Sequence, residues 1–393
     1  MLPGLMFCGL TVKKINRRIL LQGLGVSPLV LLSGCKPEQI RSSVNVGRKI
    51  ADGNLSGALG SQLPSTGIPE LDMLVRRQLD ELGSRLAQKW GDKKVASQTE
   101  YVKYSDQYQT RAVVNFDTGV IRVETLERQD SKARLEQAII STLLAPEDPG
   151  GVDLLSDKAV NIGAEPFLLN LVVDHQGQPV RYEWRAGQYA KYLLANSYQQ
   201  DRVKGQTRHF VTFAMVKNHQ AGSQHKYSTH VSQNSSRFKV KSALIYAVME
   251  AESSFNPYAI SHVPAYGLMQ IVPVSAGRDA HQLIYGRAGT PTKDYLFVPQ
   301  NNIRMGAAYL SILNDRYLSR VSNAQAREYC VIAGYNTGSG NVLKAFHSNR
   351  DQAFAKINSM SPAQVYNRLV AHLPYEETRR YLPRVVQYQR KYA

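Results

Sequence analysis

Cysteine is scarce in this chain, three in 393 residues, which excludes a disulfide-stapled scaffold. The nine histidines are scattered, so no Cys/His spacing marks a structural metal site, and no metal or cofactor is expected. Long apolar runs are lacking too. The most apolar stretch, Ile19 to Leu32, falls short of the roughly 20 residues that a bilayer core requires. Acidic side chains are in deficit: 31 Asp and Glu stand against 48 Lys and Arg, a net charge of +17. Such a surface attracts polyanions, whether nucleic acid, anionic lipid or acidic glycan. An apolar content of 43% excludes a disordered chain, and the length suggests two domains.

The N-terminus narrows the choice among polyanions. Lys13, Lys14, Arg17 and Arg18 precede the apolar run, which ends in Leu32-Ser33-Gly34-Cys35. A basic segment, a short apolar segment and small residues before a thiol read as a bacterial lipoprotein signal over residues 1–34, with Cys35 acylated and made the new N-terminus. Asn16-Arg17-Arg18-Ile19 also has the look of a twin-arginine export motif. Lys36, rather than Asp, after the lipidated Cys points to the outer membrane, on its periplasmic face. Export removes four basic and no acidic side chains from the +17 and leaves +13. It also separates the chain from nucleic acid, leaving lipid or cell-wall glycan as partner. Cys330 lies in the apolar stretch Tyr329-Cys330-Val331-Ile332-Ala333 and reads as a buried, inert thiol.

Residues 35–67 are rich in Ser and Gly without a sustained period, as a tether is. Leu71, Val75, Leu79, Leu82, Leu86 and Trp90 then recur at helical spacing. Alternation predicts a hairpin from Thr110 to Glu124 about Asp117-Thr118-Gly119, and a second from Phe167 to Trp184 about Asp174-His175-Gln176-Gly177. A helix containing Leu135, Ala138, Ile139 and Leu143 lies between them, and a strand is predicted over Arg208 to Val216. The fold class is therefore α+β: an accessory domain over residues 68–230, its end marked by a polar stretch from His219 to Asn234, and a mainly helical domain over residues 231–393. Helices are predicted at Val240–Phe255, Ile303–Tyr317, Ala326–Tyr335 and Glu376–Tyr392, the last kinked or restarted at Pro383.

The chemistry concentrates near Glu252. Val240, Leu244, Ala247, Val248, Ala251 and Phe255 form a buried stripe, and Glu252 continues its 244–248–252 line, whereas Glu250 faces away. A carboxyl on a buried face must be paired, hydrogen-bonded or neutral. It is either a structural Glu of the core or a desolvated acid with raised pKa, suited to proton donation near neutrality.

Four ordered segments decide between these readings by resemblance. They are Glu252-Ser253-Ser254-Phe255-Asn256-Pro257, Gly267-Leu268-Met269-Gln270, Gly334-Tyr335-Asn336-Thr337-Gly338 and Glu377-Thr378-Arg379-Arg380-Tyr381. Together they resemble the catalytic domain of the lytic murein transglycosylases, whose fold is lysozyme-like, of the goose type. Tyr101 to Thr110 and Glu165-Pro166-Phe167-Leu168 look like the accessory domain of a membrane-bound branch of the same family. The resemblance implies that Glu252 is the single acid/base, that Ser261, Met269, Gln270, Tyr335, Asn336 and Tyr381 line the substrate cleft, and that Glu377 either binds there or plays a structural role with Arg379. Two departures bear on the sugar fit: Gly334 stands where the family carries Ala, and Val263-Pro264-Ala265-Tyr266 is bulkier than the usual small residues.

Hydrolytic glycosidases need two carboxyl groups, and the matched motifs supply one; Asp279, Asp294, Glu328 and Glu376 lie outside them. The resemblance implies that the substrate, the glycan strand of peptidoglycan, supplies the nucleophile through the 6-hydroxyl of N-acetylmuramic acid and ends as a 1,6-anhydro sugar. A hydrolytic muramidase of this fold and an inactive wall-binding anchor are the alternatives. Lipid through Cys35 is the other expected partner.

Overall fold

The computed structural model describes residues 84, 86–92, 94–149, 152, 154, 156–163, 165–261 and 265–393. The signal, Cys35, the tether and most of the first helical stripe lie outside the described residues; of that stripe, 86–90 are helical.

The sheet begins where β-branched and aromatic residues alternate. Strands β1 (Glu100–Ser105), β2 (Thr110–Asn115), β3 (Val120–Thr125), β4 (Tyr198–Val203) and β5 (Gln206–Ala214) form an antiparallel sheet of order β1-β2-β3-β5-β4. The predicted hairpin at Asp117 is β2–β3. Its turn is fixed by Asn115 Oδ1, which accepts from the amides of Asp117 (3.0 Å) and Thr118 (2.8 Å), and by Gly119 at φ +71°. One sheet face buries Tyr101, Ala112, Val114, Ile121 and Val123 beneath helices α1 (Ser131–Leu143) and α2 (Glu183–Asn196). The other face packs Val102, Tyr104 and Val113 against Leu86 and Trp90. Arg111 and Glu124, partners across β2 and β3, form a buried ion pair there, with the guanidinium 4.4 Å from the Trp90 ring.

The second predicted hairpin does not form. Only isolated bridges join Leu169 to Val172 and Val173 to Pro179, and Glu183 already begins α2. Asp174 is the reason. Its Oδ1 takes the amides of Gln176 and Gln178, both at 2.9 Å, and satisfies locally what a ladder would otherwise pair. Pro166 and Pro179 remove further donors.

The polar stretch from His219 to Asn234 is helical rather than a linker: α3 (His219–Lys226) and α4 (Ser228–Phe238) bury Val231, Asn234 and Phe238. After it come α5 (Ser242–Ser253), α6 (Arg278–Tyr285), α7 (Lys293–Phe297), α8 (Pro299–Ile312), α9 (Ala324–Thr337), α10 (Ser339–Lys344), α11 (Arg350–Asn358), α12 (Pro362–His372) and α13 (Glu376–Lys391). The predicted helix to Tyr317 closes with a π-helical turn, Leu313–Tyr317. Helix α13 continues through Pro383 without restarting. Tyr381, Leu382 and Val385 on either side are buried, and that packing offsets the backbone bond the ring removes. Cys330 is fully buried in α9, and burial pushes its thiol up to about 12.

Candidate active site

Helix α5 is apolar almost all round, with Leu244, Ile245, Ala247, Val248 and Met249 buried, because α13 and α4 cover it on both sides. Its last turn carries the two acids. Glu250 does face away from Glu252, yet it is buried as well, against the end of α13. There Lys391 Nζ (2.8 Å) and Tyr392 OH (2.6 Å) hold its carboxylate. Glu252 is only 8% exposed. Burial pushes its carboxyl up to about 7. The Tyr381 hydroxyl and the Arg384 charge oppose that rise, and the Glu377 charge adds to it. Tyr381 acts on the carboxylate at close range, although strict geometry leaves its buried hydroxyl without a completed hydrogen bond.

The helix ends abruptly after Glu252. Ser254 (φ +50°) and Phe255 (φ +65°) are both left-handed, a conformation that costs a non-glycine residue about 1–3 kcal/mol. The strain is held by Ser253, whose Oγ donates to the carbonyls of Met249 (3.0 Å) and Leu268 (2.8 Å), and by Phe255, which is fully buried. Ser253 thus ties the helix end to the Gly267–Gln270 turn.

That turn has a hub the sequence reading missed. Asn302, on α8 and fully buried, accepts from Met269 N (2.7 Å) and donates to the carbonyls of Tyr266 (2.7 Å) and Leu296 (2.7 Å), so every polar atom of its amide is used. Gly267 sits at φ +73°, where an added Cβ would lie 2.5 Å from Asn302 Nδ2 and 2.7 Å from Leu296 O; only glycine fits. The turn presents Gln270, itself left-handed (φ +47°), beside the Ala259 carbonyl. Its Nε2 donates there (3.1 Å) and to Gly267 O (2.9 Å), while its buried Oε1 has no partner. Met269 is placed differently from the cleft-lining expectation. Its side chain has no exposed surface and packs on Gly306. What it offers the site is its carbonyl, which accepts from Tyr335 OH (2.8 Å). Ser261 is half-buried, and its Oγ accepts from Ala265 N (3.3 Å).

Helices α9 and α13 close the site. Tyr335 packs its ring 5.6 Å from Tyr309, and its hydroxyl is driven well above the ordinary tyrosine range by burial and by the Glu252 charge. Asn336 accepts a 2.6 Å hydrogen bond from the buried Thr378, which locks the last motif of the sequence to the third. Glu377 is exposed. Arg379 is not its partner, since it donates to the Leu373 carbonyl (2.6 Å). The structure brings Tyr335, Tyr381 and Glu377 to Glu252; Gln270 sits in the turn that Ser253 ties to the helix end, Asn336 is joined to α13 through Thr378, and Met269 stands behind Tyr335. The arrangement can hold a neutral acid among oriented polar groups.

Of the other acids, Asp279 accepts from Tyr317 OH (2.8 Å), Glu328 is tied to Lys241 (2.7 Å) and Gln389, Glu376 pairs with Arg380, and Asp294 is exposed on α7. Asn302 escaped the sequence reading, and Thr378 was named there within a motif but given no role; the only available signal for Asn302 was a doubled Asn at the start of an apolar helix pattern.

Two family models match the chain. Residues 69–226 match the N-terminal domain of membrane-bound lytic murein transglycosylase C, and residues 230–358 match the transglycosylase SLT domain. A membrane-bound lytic murein transglycosylase C of Yersinia pestis is 48% identical over 307 residues, 77% of this chain and 85% of the relative. The protein of the same name from Yersinia pseudotuberculosis matches to the same extent. Among solved structures, the lytic transglycosylase Slt of Pseudomonas aeruginosa matches at 28% identity and TM-score 0.33, and the 70-kDa soluble lytic transglycosylase of Escherichia coli at 24% and 0.33. Each of those two matches covers 42% of this chain and 24% of the other.

Proposed function

This chain belongs to the membrane-bound lytic murein transglycosylase C family, and from that premise we propose that Glu252 is its single acid/base, cutting peptidoglycan without water. The chain is a lytic transglycosylase with an SLT domain. The observation that carries the reading of Glu252 is its burial at a helix end, with a carboxyl pushed up to about 7 and so substantially protonated near neutrality.

Protonated Glu252 donates to the bridging oxygen of the β-1,4 bond between N-acetylmuramic acid and N-acetylglucosamine, and the bond to the anomeric carbon breaks. The carboxylate so formed takes the proton of the muramic 6-hydroxyl as its oxygen closes on that carbon. The product is a 1,6-anhydro sugar, and Glu252 is left protonated for the next turnover. Positioned proton transfer contributes about 10²–10⁴-fold, and holding the internal hydroxyl in place adds proximity. Gln270, with an unpartnered Oε1, and Tyr335, Asn336 and Tyr381 are the positioning groups, and Ser261 and Glu377 are assigned to contacts with a longer strand. Met269 acts through the carbonyl that orients Tyr335.

Mass spectrometry of products from purified sacculi tests the reading. Anhydro-muramic ends are expected, and reducing ends would assign a hydrolase instead. Release of no fragments would leave a wall-binding anchor. Tyr335→Phe is expected to slow turnover about tenfold, the equivalent of one ordinary hydrogen bond, because the Met269 carbonyl loses its donor while the ring still packs on Tyr309. A complete loss would give Tyr335 a chemical role.

The relatives' name says membrane-bound, and among the described residues no helix is long and apolar enough to cross a membrane. Attachment through acylated Cys35, at the periplasmic face of the outer membrane, is part of the same proposal, as is the division into an accessory unit over 68–230 and a catalytic unit over 231–393.

A further inference from the structure

We infer that the accessory domain is a working part of the catalytic site, gripping through Tyr258 the loop that leaves Glu252 and so setting where Glu252 and Gln270 stand. The inference rests on the role proposed for Glu252.

Tyr258 lies six residues beyond Glu252 but packs in the core of the accessory domain rather than in that of the helical domain. It has no exposed surface. Its ring stands 4.9 Å from Tyr101 of β1 and 5.2 Å from Phe167, edge-on to both, and its hydroxyl donates to the Pro146 carbonyl. Its neighbours are held from the same side. Asn256 Nδ2 donates to the carbonyls of Gln98 (3.2 Å) and Ser97 (3.5 Å), and Ile260 N donates to Ser97 O (3.3 Å). The Asn256 Oδ1 turns back to accept from Tyr258 N (3.0 Å). The 256–260 segment is therefore anchored to β1, to the loop before it and to the segment that follows α1.

The grip is transmitted in two directions. Toward Glu252 runs the left-handed pair Ser254–Phe255, a backbone state that persists only where its surroundings fix both ends. Toward Gln270 runs the Ala259 carbonyl, which accepts from both Gly267 N (2.9 Å) and Gln270 Nε2 (3.1 Å). Releasing Tyr258 would loosen the cap of the helix that buries Glu252 and the Ala259 carbonyl that, among the described residues, holds the Gln270 side chain from outside its own turn. Tyr258 is a positioning residue.

The test uses the full chain with Tyr258→Ala, Tyr258→Phe and Phe167→Leu, and measures turnover of purified sacculi, sacculus binding, thermal melting and the pH profile of kcat/KM. The groups facing Glu252 are Tyr381, Arg384 and Glu377 from α13 and Tyr335 from α9. None is altered by these variants, so a moved pH limb reports the setting of Glu252. Tyr258→Ala is expected to lower kcat at least tenfold with binding near wild type and to move the basic limb to lower pH as the acid gains water. Tyr258→Phe, which keeps the ring, should restore most of both. Should Tyr258→Ala fail to fold, Phe167→Leu relaxes the ring packing from the accessory side and should move the limb in the same direction. A folded Tyr258→Ala protein with wild-type kcat and an unmoved profile would overturn the inference, as would an unmoved profile in Phe167→Leu. Glu252→Gln serves as the separating control: if it stays active, the role of Glu252 fails, whatever Tyr258 does.

Discussion

Glu252→Gln should abolish murein cleavage to the extent of about 10²–10⁴-fold while sacculus binding persists, because the amide keeps the shape of the carboxyl and has no proton to cycle. Retention of more than about a tenth of wild-type turnover would remove Glu252 from the chemistry, since general acid catalysis contributes at least ten times that margin. Two measurements accompany it. In the wild type, kcat/KM should fall as pH rises through about 7, where the carboxyl loses the proton it must donate. Stability should move as well. Folding raises this group's affinity for its proton, so between the ordinary 4.5 and about 7 the folded chain binds more protons than the unfolded one, and stability drops as pH rises across that window. Above it the deficit levels off at on the order of 3 kcal/mol. Glu252→Gln carries no such deficit. It should melt above wild type at pH 8 and no longer do so near pH 4. An identical melting difference at both values would show that the carboxyl is not desolvated in solution.

The largest stability effect is expected at Asn302. Asn302→Ala strands the Met269 amide and the Leu296 carbonyl in the core, while the Tyr266 carbonyl keeps the Ile271 amide; at roughly 1–3 kcal/mol for each unsatisfied group the loss should reach about 2–6 kcal/mol, read as a lower denaturant midpoint. Asn302→Asp separates hydrogen bonding from packing. It keeps the shape and can still accept from Met269 N, but it cannot donate to Tyr266 and Leu296. It should be nearly as damaging. Since Asn302 pins the turn that presents Gln270, turnover should fall in both variants even below the melting point. A variant of wild-type midpoint would show that the turn is held by its own backbone, through the Gly267 and Ile271 amides.

What could be read from the sequence followed from local rules. The stripe from Leu244 to Glu252 has helical spacing, and α5 has it; the turn Asp117-Thr118-Gly119 has hairpin chemistry, and β2 and β3 flank it. The second hairpin failed because alternation from Phe167 was outweighed by a side chain, Asp174, bonding to nearby amides, a choice that alternation does not reveal. The restart read from Pro383 failed for the opposite reason: burial of α13 held the helix through it. The four motifs named the residues around Glu252 but not what supports them. Asn302 acts across 33 residues, Thr378 across 42 and Tyr258 across more than 100, and contacts of that span leave no periodicity.

The place of Tyr258 in the accessory core also constrains how the chain can acquire its fold. During synthesis the N-terminal half emerges first, and the packing on Tyr101 and Phe167 that Tyr258 supplies comes only with the later part of the chain. Only when the segment beyond α5 arrives does Tyr258 take its place there, and the last turn of α5 just before it carries Glu252. Completion of the accessory core and seating of the segment that follows Glu252 are then one event, and it waits until Tyr258 has been delivered.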